Sequence, residues 1–280
     1  MTKYHIREPK DNEISKSINV LYSAFGRNPP EDIKGEEKIW KALIEWKIGK
    51  FLISEEKGKI IGVGGVFIFA KVSSFGYMAV LQEYRGKGIG TEIFRNLLEI
   101  ANELNCETMI LYASKLGEPI YKKFGFKRRF YGEMYQLPIQ PQELGIADKE
   151  IKILTTVPDW VLALDKEAMG FDRTNYLNLR IKLDGKILTI ENEGYGLLAN
   201  KRLGPLIAMN SNVASQIINR SIALGADHMI LANHQYFPKK IFELFNLNEL
   251  ENRASVKMIS GKEIKLNLDL LYAIGTFAKG

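Results

Sequence analysis

The chain has 280 residues, 46% hydrophobic and 26% charged, a globular composition long enough for two domains. One cysteine (Cys106) and three histidines (His5, His228, His234) exclude an intrachain disulfide and an ordinary zinc centre, and no run approaches the ~18 apolar residues of a membrane span. Of the net charge of +6, residues 1–137 carry +5 and residues 138–280 carry +1, which fits either a generic basic surface or an anionic ligand bound in the first half.

In chain order, Tyr4–Arg7 is a short strand. Asn12–Phe25 places Ile14, Ile18, Leu21, Tyr22 and Phe25 at helical spacing, and Gly35–Ile48 does the same with Ile39, Trp40, Leu43, Ile44 and Trp46. Lys50–Ser54 and Lys59–Phe69 are strands around the turn signal Glu55-Glu56-Lys57-Gly58. Ser74–Leu81 is a further strand. Thr91–Leu104 is an amphipathic helix with Phe94, Leu97, Leu98, Ala101 and Leu104 on one face. Thr108–Tyr112 is a buried-type strand, Pro119–Phe124 a short helix with proline in its first turn, and Lys127–Leu137 closes as one or two strands. Tyr135–Gly145, with two prolines and no helical period, reads as a linker.

The second half repeats this order. Glu150–Val157 is a strand, Pro158–Ala168 and Thr174–Leu183 are helices, and Lys186–Glu191, Tyr195–Asn200 and Gly204–Met209 are strands. Val213–Leu224 is a helix, His228–Ala232 a strand, Pro238–Leu244 a helix and Arg253–Ile259 a strand. Met109-Ile110-Leu111 recurs as Met229-Ile230-Leu231, Ile100-Ala101 as Ile222-Ala223, and Ile120–Phe124 parallels Ile241–Phe245. The offsets stay between 120 and 122, as expected of two copies of one fold. Domains of 1–140 and 141–280 follow.

The informative run is Tyr84-Arg85-Gly86-Lys87-Gly88-Ile89-Gly90-Thr91, between a strand and a helix. A helix start has amides without intrahelical partners, and its dipole favours an anion such as a pyrophosphate. Glycines let a phosphate approach the backbone, and Arg85 and Lys87 add positive charge. The run is neither a dinucleotide fingerprint, since position 91 is threonine, nor a Walker A loop.

It resembles motif A of the GNAT superfamily of GCN5-related N-acetyltransferases, Q/R-x-x-G-x-G/A, through Arg85, Gly88 and Gly90. Met78-Ala79-Val80 resembles the family's fourth strand, and Pro119–Phe126 its segment LYEKLGF. Residues 148–280 resemble the degenerate second GNAT-like domain of some acetyltransferases, through Gly170–Arg173 and Gly204-Pro205. The resemblance implies an α/β (α+β) fold of two tandem GNAT-like domains, each a mixed, mostly antiparallel twisted sheet flanked by helices. It implies acetyl-CoA as co-substrate, without a metal, and acetyl transfer to an amine by direct attack on the thioester.

The family roles carry over residue by residue. Amides of Arg85, Gly86, Lys87, Gly88, Ile89, Gly90 and Thr91 would hold the pyrophosphate, and Met78 and Val80 the pantetheine arm. Tyr121 matches the tyrosine that protonates the leaving thiolate. Ser114 stands where many members carry asparagine, also at the cofactor. Glu133 and Glu83 are candidate bases, since the acceptor must lose a proton before it attacks. In the second copy the loop is replaced by Ala208–Val213, without glycine or cation, and Tyr121 is paralleled by Phe242. That copy is therefore expected to cover the acceptor groove, with Asp165, Asp172 and Arg173 facing a charged substrate. The expected protein is cytoplasmic, a monomer or homodimer, and acts on a small-molecule amine or a protein amino group. No nucleic-acid or membrane partner is expected. An aminoacyl-tRNA-dependent transferase of tandem GNAT-like fold and a non-catalytic acyl-CoA sensor are the alternatives.

Overall fold

The structure, a computed structural model, describes residues 4–28, 33–145, 149–233, 240–276 and 278. Contacts divide the chain into two units, Met1–Leu111 and Tyr112–Ala278.

The first unit contains β1 (His5–Arg7), α1 (Ile14–Ala24), α2 (Ile33–Glu45), β2 (Gly49–Glu56), β3 (Lys59–Phe69), β4 (Val72–Val80) and α3 (Ile89–Glu103). It ends within β5 (Thr108–Ala113). Strands β1 to β4 are antiparallel neighbours in chain order, and β5 lies parallel to β4. Lys57 and Gly58, both at positive φ, make the β2–β3 turn where the sequence signalled it. The apolar stripe of α3 (Ile89, Ile93, Phe94, Leu97, Ala101) is buried. It comes close to the sheet because β3 carries Gly64, where a Cβ would meet Met78 Sδ, Ile93 Cγ2 and Leu97 Cδ1 at 2.6–2.9 Å.

The second unit begins with the end of β5 and holds α4 (Glu118–Lys123), β6 (Lys127–Gln136), β7 (Lys152–Leu154), α5 (Asp159–Met169) and α6 (Thr174–Lys182). It continues with β8 (Lys186–Ile190), β9 (Gly194–Ala199), β10 (Arg202–Ala208), α7 (Ser211–Ala223), β11 (His228–Asn233), α8 (Lys240–Phe245), β12 (Asn248–Gly261) and β13 (Leu271–Ile274). Its strands run in the order β12-β6-β11-β13-β10-β9-β8-β7. The meander β7 to β10 is antiparallel and β10 pairs parallel with β11, the pattern of β1 to β5. Regular structure stops at Gln136 and, among the described residues, resumes at Lys152, so the expected linker Tyr135–Gly145 is irregular from Leu137 while Tyr135 and Gln136 close β6.

Two features depart from the linear reading. The closing strand β6 pairs with β11 and β12, so its ladder partners come from the second half of the chain. Strand β13 was not expected: it pairs with both β10 and β11. The parallel ladder of β10 and β11 covers Arg202↔His228 and Leu203↔Met229, and β13 then enters between Leu206–Ile207 and Ile230–Leu231. The helix expected from Pro238 begins among residues outside those described and is seen from Lys240.

Candidate active site

In the first unit β4 carries a bulge. Val63↔Ala79 and Gly65↔Gly76 are partners, so Gly64 alone faces Tyr77 and Met78. Tyr77 has φ +56°, a conformation that costs an L-residue about 1–2 kcal/mol. Its ring compensates by packing 5.2 Å from Trp40, 5.6 Å from Phe67 and 5.9 Å from Phe51. The β4–β5 ladder ends at Phe75↔Leu111. Among the described residues of this unit, Gly76–Val80 keep a ladder partner only in β3. That leaves one backbone edge of β4 open to an extended ligand.

Beyond β4 the chain makes a short turn, Gln82–Tyr84, and reaches the glycine loop. Gly86 (φ +76°) and Gly88 (φ +81°) are both left-handed, and a Cβ at either would meet nothing within 4 Å. Backbone conformation, not crowding, therefore sets the need for glycine there. Such turns gather successive amides into an anion-binding concavity. Gly88 is the N-cap of α3 and supplies no side-chain cap, so the first amides of a 15-residue helix are left for a ligand. The helix starts at Ile89, two residues earlier than its periodicity indicates, which places Ile89, Gly90 and Thr91 in its first turn. Gly90 lets this turn sit on β4, where its Cβ would be 3.5 Å from Val80 Cγ2.

Arg85 does not point its charge outward. Its Nε donates to the Val80 carbonyl at 3.1 Å, and its guanidinium also donates to the Ala24 carbonyl, tying the loop to β4 and α1. Lys87 lies with its Nζ 4.9 Å from the Tyr84 ring centroid, and Lys59 at 5.2 Å. Glu83 bonds Lys59 at 3.2 Å, and its own backbone amide followed by Lys59 holds its carboxyl below the usual range. A carboxylate so held is a poor base.

Ser114, Tyr121 and Glu133 belong to the second unit. Ser114 closes the turn into α4: its carbonyl and its Oγ both accept from the Gly117 amide, at 3.0 and 3.3 Å. Tyr121 is buried, and burial pushes its phenol pKa up, so the hydroxyl keeps its proton at neutral pH. Glu118 anchors this helix to β6 through Arg128 at 2.6 Å and takes Lys122 at 2.8 Å. Glu133 is half-buried on β6, and its Oε2 accepts from the Tyr135 hydroxyl at 3.1 Å.

The expectation that Asp165 and Arg173 face a substrate is corrected. They are 1% and 2% exposed and pair with each other, at 3.0 Å from Arg173 Nε and 2.5 Å from Nη2. The Tyr195 hydroxyl also donates to Asp165. Burial lowers the Arg173 pKa, but the Asp165 charge and hydrogen bonds outweigh it and leave the pKa raised. Asp172 is exposed, its Oδ1 accepting from the Thr174 amide at 2.7 Å where α6 begins. The sequence missed Lys257, whose Nζ is buried and, among the described residues, has no hydrogen-bond partner. A lysine inside the short run Val256-Lys257-Met258-Ile259 was its available signal.

The second copy differs at both places that matter for a donor. The N-cap of α7 is Asn210, whose Oδ1 accepts from the Val213 amide at 3.1 Å, so the helix start is closed by its own side chain. The opening between β10 and β11, the counterpart of that between β4 and β5, is filled by β13. Among the described residues there is no group of three His, Cys, Asp or Glu that could hold a metal, and no helix long and apolar enough to cross a membrane. Cys106 is buried, and burial raises its thiol pKa.

Residues 47–128 and 161–273 each match the acetyltransferase (GNAT) domain family. A putative acetyltransferase of Pyrococcus horikoshii, solved by crystallography, is 28% identical with a TM-score of 0.90, over 100% of this chain and 97% of that one. The uncharacterized N-acetyltransferase YitH of Bacillus subtilis is 31% identical over 68% of this chain and 69% of its own length. A tandem GNAT protein from the clavulanic acid biosynthesis pathway shares the fold, with a TM-score of 0.63 at 11% identity, over 94% of this chain and 99% of its own. The chain belongs to the GNAT family, as an N-acetyltransferase with two GNAT domains in tandem.

Proposed function

We propose that the protein transfers the acetyl group of acetyl-CoA to a primary amine, with the donor held by the first GNAT domain (1–140) and not by the second (141–280). The observation that carries this reading is the asymmetry between the copies. The first has an uncapped helix start behind Gly86 and Gly88 and an open β4 edge; the second has Asn210 and β13 in those places. An uncapped, glycine-lined helix start suits a pyrophosphate, which favours a CoA donor over an aminoacyl-tRNA, whose ester needs no such cradle.

When bound, acetyl-CoA supplies the thioester. Amides of Arg85 to Thr91 would take its pyrophosphate, and backbone groups of Met78 and Val80 its pantetheine arm. An amide near Val80 would polarise the thioester carbonyl. Alignment of amine and thioester supplies much of the rate. Tyr121, protonated through burial, donates to the departing sulfur. Ser114 acts by shaping the turn that carries Tyr121. Glu133 is the carboxylate proposed to draw the acceptor ammonium. The acceptor is a small-molecule amine or a protein amino group; a putative ribosomal protein bS18-alanine N-acetyltransferase of Bacillus subtilis, 26% identical over 45% of this chain, is named for a protein acceptor.

Calorimetric titration with acetyl-CoA, followed by thiol release over a panel of amines, tests the reading. One binding site per chain and amine-dependent thiol release are expected. No binding, or two equivalent sites, would overturn it.

A further inference from the structure

The positive charge of the first half does not sit with the glycine loop. Residues 1–111 hold sixteen Lys and Arg against fifteen Asp and Glu, whereas residues 112–137 hold six against two. Five of those six, Lys122, Lys123, Lys127, Arg128 and Arg129, lie in the second unit where α4 ends and β6 begins, and all five are exposed. The Phe126 amide donates to the Tyr121 carbonyl at 3.2 Å, which folds the strand start back onto the helix end. Strand β12 finishes beside them: Ile259 is the partner of Lys127, and the exposed Lys262 follows Gly261. Two carboxylates answer these six cations. Glu118, its side chain 11% exposed, lies beneath Lys122 at 2.8 Å and Arg128 at 2.6 Å and fixes both. Glu263, 79% exposed, accepts from Arg129 at 3.1 Å. Among the described residues Lys123 and Lys127 have no ion-pair partner. Like charges held this close repel one another, and a negative partner relieves that repulsion.

We propose that the end of α4 and the start of β6 form a docking surface for an acidic segment of a partner protein, whose carboxylates meet Lys123, Lys127 and Arg129. Side chains alternate along β6, so Lys127, Arg129 and Tyr131 share one face while Arg128 turns to Glu118. Tyr131 is 45% exposed and adds an aromatic ring to that face. Arg and Tyr are the residue types on which binding energy concentrates in protein interfaces. Glu263 already shows what Arg129 accepts, a side-chain carboxylate. An exposed pair of this kind contributes little to stability, so an incoming carboxylate can replace it. A polynucleotide is held instead by cations that track its backbone along one groove. Here the cations spread around a helix end and over two faces of one strand, which suits a short cluster of carboxylates.

Fluorescence anisotropy of labelled decaglutamate on the full chain tests this, with decaglutamine as the uncharged control and decauridylate as the rival polyanion. We expect the wild type to bind decaglutamate, more weakly as salt rises from about 0.05 to about 0.3 M, and not to bind decaglutamine. Lys123→Gln, Lys127→Gln and Arg129→Gln combined should lower that affinity about 10-fold and leave acetyl-CoA affinity unchanged. Lys123→Gln with Lys127→Gln, which keeps the Arg129 pair, should show part of the same fall. Lys166→Gln, Lys186→Gln and Lys201→Gln combined, three exposed lysines elsewhere in the same unit, should change it by less than about 2-fold. Absence of decaglutamate binding, wild-type affinity in the first triple variant, an equal fall in the second, tighter binding of decauridylate than of decaglutamate, or a parallel loss of acetyl-CoA affinity would each overturn the proposal.

Discussion

Replacing Lys257 by methionine should make the protein more stable, by an amount that depends on pH. The lysine is fully buried, has no hydrogen-bond partner among the described residues and feels the like charge of Arg173. Its pKa falls from 10.5 in the open chain to about 7 in the fold. Between those values the unfolded chain binds one proton more than the folded one, so wild-type stability rises with pH across the window. Below about 7 both states are protonated and the whole penalty is present; above 10.5 both are neutral and it is gone. A shift of this size corresponds to about 5 kcal/mol, a large share of the net stability of a domain. Methionine has similar length and no charge, so Lys257→Met should gain most near pH 6 and progressively less towards pH 10. Urea unfolding of both proteins at several pH values measures the difference. A gain that does not vary with pH, or a destabilised methionine variant, would refute a neutral buried amine.

Four further outcomes follow from the same geometry. Gly88→Ala forces a Cβ onto a residue at φ +81°; it should cost about 1 kcal/mol and weaken acetyl-CoA binding in calorimetry by more than that strain explains. Asn210→Ala removes the α7 cap and should cost about 1 kcal/mol while leaving acetyl-CoA affinity unchanged, because the donor site proposed above lies in the first copy. Tyr121→Phe should lower kcat with little change in acetyl-CoA affinity, and an unchanged kcat would remove its role as acid. Arg173→Met should cost about 3–5 kcal/mol in denaturant unfolding by leaving the buried Asp165 carboxylate without its counter-charge, and Asp165→Asn in the same chain should recover part of that.

Much of this protein is legible along the chain because its signals are local. The stripe of α3 follows from spacing, and the Lys57-Gly58 turn from residue chemistry. The glycine run between a strand and a helix gives both the motif and its place in the fold, since one element order fixes where a helix start meets a strand end. The near-constant offset between Met109–Leu111 and Met229–Leu231 shows the duplication for the same reason: the repeat is a property of the chain.

Other features depend on partners far away in sequence. Tyr77 carries no local mark of a left-handed backbone; the bulge exists because β3 and β4 fall out of step and an aromatic cluster accepts the ring. Asp165 and Arg173 look like surface charges until folding buries them against each other. Leu271–Ile274 is a short apolar run that nothing nearby assigns to the space between β10 and β11. The sequence by itself determined the GNAT fold, its repeat and the likeness of one loop to a phosphate cradle, because those are written in periodicity and short motifs. Only the tertiary structure decided that the second copy is closed by Asn210 and β13, and that Lys257 is a buried amine with no hydrogen-bond partner among the described residues. Register and burial are set by the whole chain at once.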